Sequence, residues 1–162
     1  MVVRFFAPGH PATKGSYRYL GRGRVANDNP REKAWAAVVA LAAESAMKSA
    51  GADPIEGPVF IRLAFQLERP RSHYKASGGL RAGRPLAPTS KPDWDKLSRS
   101  IGDAMTGICY RDDAQIVHAL VSKRYAMGEG VRGMVGALVE VHPWPSVSAI
   151  EDEESPFTDE ER

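Results

Sequence analysis

An α+β fold, with one mixed β-sheet and two helices packed on one of its faces, is the class that this sequence predicts. Three observations carry that expectation. Two segments have helical spacing with start and stop signals, four have strand character, and the strands and helices alternate only in part. The order reads strand, basic loop, helix, strand, basic loop, helix, strand, strand, without an internal repeat. The 162 residues suit one domain with a single core. Residues 1–145 are expected to form it, and 146–162 to be an acidic, disordered tail.

Residues 2–6 read as a first strand, stopped by the breaker cluster Pro8-Gly9-His10-Pro11. A basic, Gly-rich stretch follows, with Lys14, Arg18, Arg22 and Arg24 and no acid before Asp28. The first helix is expected to open on Asn29 as N-cap, with Pro30 at its first position and Glu32 closing a capping box. Ala34, Val38, Leu41 and Ser45 would share its buried face, and Gly51 would end it. Val59 to Glu68 alternates as a half-buried strand, with Val59, Ile61, Leu63, Phe65 and Leu67 on one side. Arg69 to Lys91 is a Gly/Pro/Ser-rich connection with six bases and no acid; a loop this long is either functional or disordered. A second helix is expected from near Pro92–Asp95 to about Thr106, on the spacing of Leu97, Ile101 and Met105, with Gly107 as its stop. Ala114 to Tyr125 and Gly133 to His142 are strand-like.

Composition excludes several classes. No apolar run approaches the ~20 residues that a membrane span needs, and the N-terminus lacks a signal peptide's apolar centre. Cys109 is the single cysteine, which rules out an internal disulfide and argues against thiolate zinc sites. A cytoplasmic protein is expected. The formal net charge of +2 conceals a segregation of sign. Residues 150–162 hold seven acids and one base, leaving 21 bases against 13 acids, or +8, in the body. A basic body points to a polyanionic partner.

The chemically informative segment is Lys91-Pro92-Asp93-Trp94-Asp95-Lys96-Leu97-Ser98-Arg99, followed by Tyr110-Arg111-Asp112-Asp113-Ala114-Gln115. In extended backbone Asp93 and Asp95 project to the same side. A helix returning antiparallel to its entry strand would keep Asp112-Asp113 away from that pair, whereas a helix packed across a sheet edge could bring them together. Hard oxygen donors without His or Cys suit Mg²⁺ or Mn²⁺ and phosphodiester hydrolysis. The bland alternative makes Asp95 a helix cap paired with Arg99, and Asp112-Asp113 an exposed turn.

These residues also resemble a known family. Lys91-Pro92-Asp93-x-Asp95-x-Leu97, then Asp103-Ala104, Gly107-x-x-Tyr110-x-Asp112-Asp113-x-Gln115-Ile116-Val117 and Lys123-Arg124-Tyr125 are similar to the RusA Holliday junction resolvases. The opening Pro8-Gly9-x-Pro11-x-x-Lys14-Gly15-x-x-Arg18 looks like that family's basic N-terminal signature. The resemblance spans about residues 3–142. It implies a homodimeric, Mg²⁺-dependent endonuclease (Mn²⁺ substituting), common in phages, that cuts four-way DNA junctions symmetrically. It implies metal-binding aspartates at Asp93, Asp95 and Asp113; strand parity does not choose between Asp112 and Asp113. The chain departs from the pattern twice: Lys96 stands where the family usually has Asn, and Arg99 where it has a catalytically important lysine. Arginine keeps the charge but cannot donate a proton near neutral pH. Arg99 or Lys96 would then neutralise the scissile phosphate. A catalytically silent branched-DNA-binding module, or a flap or single-strand nuclease, are the alternatives.

The basic segments, Lys14, Arg18, Arg22 and Arg24, then Arg69, Arg71, Lys75, Arg81 and Arg84, are the expected phosphate contacts. Tyr17, Tyr19 and Tyr74 could stack on bases there. Trp94 is expected to be a core anchor. His73 could touch phosphate, and the histidines share no ligand spacing. The acidic tail is read as a solubilising strip, with two sharper readings: competition with DNA for the basic loops, or Ser155-Pro156-Phe157 docking a protein partner.

Overall fold

The structure, a computed structural model, describes residues 2–15, 17–22, 24–27, 31–127 and 133–145, with the backbone alone at 17–20 and 24–27. Strand β1 (Val3–Pro8) leads to a hairpin, β2 (Tyr17–Gly21) with β3 (Arg24–Asn27), and then to helix α1 (Glu32–Ala50). Strand β4 (Val59–Leu67), helix α2 (Trp94–Met105), β5 (Ile116–Tyr125) and β6 (Gly136–Pro143) complete it. The main sheet has the order β1-β6-β4-β5, with β4 antiparallel to β6 and parallel to β5. A parallel pair needs a crossover, and the stretch containing α2 supplies it. The sheet is therefore mixed.

Alternation decides which face carries the core. Val59, Ile61, Leu63, Phe65 and Leu67 of β4 are buried, as their spacing predicts, beside Ala137, Val139 and Val141 of β6 and Val3, Phe5 and Ala7 of β1. Both helices lie on that side, α1 against β1 and α2 against β5, and they pack on each other. From α2, Leu97, Ile101 and Met105 enter the core fully buried. Each such side chain contributes about 1.5–3 kcal/mol of transfer free energy.

The buried stripe of α1 is Trp35, Val39, Ala43 and Met47, one residue on from the expected one; Leu41 stays 69% exposed. In an Ala-rich helix both stripes look apolar, and the two large side chains, Trp35 and Met47, decide. Asn29 and Pro30 lie outside the described residues. Glu32 accepts a hydrogen bond from the Gly15 backbone N–H at 2.7 Å, so its carboxylate ties the N-terminal stretch to the helix. Gly51 ends α1 at φ 58°, where its own N–H and that of Ala52 reach the Lys48 and Met47 carbonyls. The β2–β3 hairpin replaces part of what reads as basic loop. Strand β5 begins at Ile116 rather than Ala114, because Asp113–Gln115 form a 3₁₀ turn. Gly136 is required by closeness: a Cβ there would stand 2.3 Å from the Ala7 carbonyl oxygen and 2.5 Å from the Phe6 ring. Among the described residues no helix is long and apolar enough to cross a membrane.

Candidate functional site

The head of α2 is where the acids and the basic segments meet. Asp93 is the N-cap residue, in extended conformation (φ −73°, ψ 139°), yet its carboxylate makes no capping hydrogen bond. Lys96 Nζ lies 3.8 Å from Asp93 Oδ2. Asp95, in the first helical turn, is exposed and makes no hydrogen bond or ion pair among the described residues, and neither does Arg99. The bland reading required Asp95 to cap or to pair with Arg99. Neither contact forms, so a helix N-terminus holds two carboxylates uncommitted to its backbone, with the dipole favouring their charge.

The second acidic pair separates into two roles. Asp112 accepts from the Ala114 N–H at 2.8 Å, while Gln115 Oε1 accepts from the Arg111 and Asp112 N–H groups at 2.8 and 3.0 Å. Gln115 Nε2 in turn donates to the Ile55 and Gly57 carbonyls. Asp112 is thus spent on its own turn, and the exposed Asp113 carboxylate is free among the described residues.

Position along α2 relates Asp113 to the first pair. Asp95, Arg99 and Gly102 recur at i, i+4 and i+7, one stripe of the helix. At Gly102 that stripe meets the Ile116 side chain and the Tyr110 hydroxyl, which donates to the Gly102 carbonyl at 2.9 Å. The 3₁₀ turn that carries Asp113 contacts α2, and burial, with smaller contributions from Cys109 and Asp113, pushes the Tyr110 phenol well above its ordinary range. Asp93 and Asp95 thus stand at the head of α2, with exposed Arg99 one turn on, while the 3₁₀ turn that carries Asp113 packs against α2. Among the described residues no three His, Cys, Asp or Glu side chains are close enough to hold a metal ion. Their chemistry still fits a hard divalent ion, which takes carboxylate oxygens of the kind that Asp93, Asp95 and Asp113 offer.

The basic residues divide by what their donors do. Lys14 is ion-paired with Asp103 of α2, and its N–H donates to the Lys96 carbonyl at 3.2 Å. That latch ties the stretch ahead of the β2–β3 hairpin to the first turn of α2. Arg22 is exposed at the hairpin turn, while the side chains of Arg18, Arg24, Tyr17 and Tyr19 lie outside the described residues. Arg69 is 5% exposed: it donates to the Pro85 and Leu86 carbonyls at 3.0 and 3.2 Å and lies 4.0 Å over the Tyr125 ring. Its donors hold the loop rather than face solvent. Arg71, Lys75, Arg81 and Arg84 are exposed on that loop, which is ordered by its own bonds, Arg81 N–H to His73 and Lys75 N–H to Gly79 among them. His73 is held below its ordinary pKa by desolvation and by the Arg84 and Arg69 charges, which favours neutral imidazole over a cationic phosphate contact. Trp94 is no core anchor. It stands 60% exposed between the two aspartates, because the buried positions of α2 begin at Leu97. Sequence reasoning assigned no role to Lys123, which donates to the Ser90 and Pro92 carbonyls at 3.1 and 2.9 Å, directly ahead of Asp93.

A family model described as endodeoxyribonuclease RusA matches residues 8–133, which include both basic segments, α2 and Asp113. The chain belongs to the RusA endodeoxyribonuclease family. It is also similar to the uncharacterized protein YqaN of Bacillus subtilis strain 168, at 30% identity over 142 residues, covering 82% of this chain and 94% of that one. RusA-type nucleases depend in general on divalent metal, and the α+β architecture with a four-stranded mixed sheet and two helices is consistent with the RusA fold.

Proposed function

We propose that this RusA-family chain resolves four-way DNA junctions by paired, symmetric nicks, as a homodimer dependent on Mg²⁺, with Mn²⁺ substituting. The observation that carries this reading is the carboxylate pair at the head of α2, spent on no cap, with two basic segments anchored beside it. A polyanion-binding surface gains from shedding carboxylates unless they hold a cation against the phosphates.

Asp93, Asp95 and Asp113 would hold the ion. When bound, it supplies the charge that positions an attacking water and stabilises the leaving oxygen. Lys96, 3.8 Å from Asp93, balances part of that carboxylate's charge. Arg99, without a partner among the described residues and one turn beyond Asp95, is free to neutralise the scissile phosphate, acting by charge because it transfers no proton near neutral pH. Arg22, Arg71, Lys75, Arg81 and Arg84 grip the backbone of the arms without reading sequence. An isologous dimer presents the same site twice and so explains paired nicks. The open edge strand β5, where Val117 and Leu120 are 56% and 51% exposed, is apolar surface that such a dimer would cover.

The test offers a mobile four-way junction, a flap and a linear duplex to the wild type with Mg²⁺ or with EDTA. Paired nicks confined to the junction and abolished by EDTA are expected. Binding without any cleavage would reduce the chain to a branched-DNA-binding module, and equal cutting of the flap would make it a flap nuclease.

A further inference from the structure

Lys123 occupies an unusual place for a lysine. It pairs in register with Phe65, which is fully buried, so its stem is directed to the helix-covered side of the sheet, between Val121 and the buried Tyr125. A charge there must find partners. It forms no ion pair among the described residues; its ammonium donates instead to two backbone carbonyls, Ser90 at 3.1 Å and Pro92 at 2.9 Å. Those carbonyls flank Lys91 immediately ahead of Asp93. Among the described residues, residues 87–92 make no other hydrogen bond, and Pro92 has no N–H with which to make one.

We infer that Lys123 is a positioning residue: its ammonium is the polar anchor of the chain's approach to Asp93, and so sets where that carboxylate stands relative to Asp95. The inference rests on the metal-site reading given above. Lys123 touches neither carboxylate; it acts through the Ser90–Pro92 backbone. Groups hydrogen-bonded directly to metal ligands tune affinity by about 10–100-fold when removed, and Lys123, acting one step further out, belongs at the lower end of that range. The nearest cation to Asp93 on its own helix, Lys96, approaches from the other direction along the chain and does not replace this anchor.

The experiment titrates Mn²⁺ calorimetrically into the full chain as wild type, Lys123→Met, Lys123→Gln and Lys123→Arg, with Asp95→Asn as the variant that lacks the site. Junction cleavage is then followed against Mn²⁺ concentration. Lys123→Met is expected to bind Mn²⁺ at least tenfold more weakly and to lose kcat at low metal. Its KM for the junction should be unchanged and its rate restored by excess Mn²⁺, a rescue that a merely structural lesion would not show. Lys123→Arg should stay within about threefold of wild type, and Lys123→Gln, which keeps a shorter, uncharged NH₂ donor group, should fall between. Wild-type Mn²⁺ affinity in Lys123→Met overturns the inference. Should that variant fail to fold, wild-type affinity in Lys123→Gln overturns it equally. A wild type that binds Mn²⁺ but cuts no junction would sink the nuclease reading and leave the affinity comparison standing.

Discussion

Asp112 and Asp113 are the same residue type in adjacent positions, and the chain uses them oppositely. One closes a capping box with Gln115 and the other offers its carboxylate to solvent. Spacing alone leaves that choice open, because it depends on a turn that Gln115 fixes to residues some sixty positions earlier. The neighbouring Cys109 and Tyr110 face inward and are fully buried. Burial pushes the Cys109 thiol up to about 11, and Tyr110 is raised as well. A group with a raised folded-state pKa stabilises the fold fully below its unfolded value and loses that contribution as pH rises toward the folded one. Thermal unfolding should therefore show a constant midpoint between pH 7 and 8 and a falling one from about pH 9 to 11. A profile flat to pH 11 would contradict burial of this pair.

At the scale of elements, legibility followed the contrast between neighbouring residues. Strand β4 was readable because every second residue is large and apolar, and α2 because Leu97, Ile101 and Met105 stand out among polar neighbours. The stripe of α1 was not, since Ala surrounds the two residues that decide it. The β2–β3 hairpin hides in a stretch whose Gly and Arg residues signal only a loop. In the candidate site, type and spacing single out the acids, whereas the contacts of Arg69 and Lys123 are to carbonyls distant in sequence and leave no local signal. The β1–β6 pairing gives an element-scale prediction. Gly136→Ala places a methyl against the Ala7 carbonyl and the Phe6 ring, where backbone cannot yield cheaply. A loss of about 1–3 kcal/mol or more in denaturant unfolding is expected; a neutral substitution would mean that β1 and β6 are not so closely paired.

The whole molecule returns to its charge. A formal +2 resolves into a body at +8, whose exposed cations include Arg22 at the hairpin turn and Arg71, Lys75, Arg81 and Arg84 on the long loop, and an acidic strip at residues 150–162, which lies outside the described residues. If the strip only solubilises, deleting it leaves junction affinity at low salt unchanged, and that is the expected outcome. Tighter binding by the truncated chain would instead show that it competes with DNA for the basic loops.

The central claim is that the carboxylates at the head of α2 and at Asp113 form the metal site of a junction-resolving nuclease. The most direct measurement is strand-specific nicking of a mobile four-way junction in Mg²⁺ by the wild type, Asp93→Asn, Asp95→Asn and Asp113→Asn, with binding followed in parallel. The expected result is paired symmetric nicks by the wild type, with each variant binding as tightly but cutting at least a hundredfold more slowly. Nicking at wild-type rate by any of the three, or by the wild type in EDTA, would contradict the account.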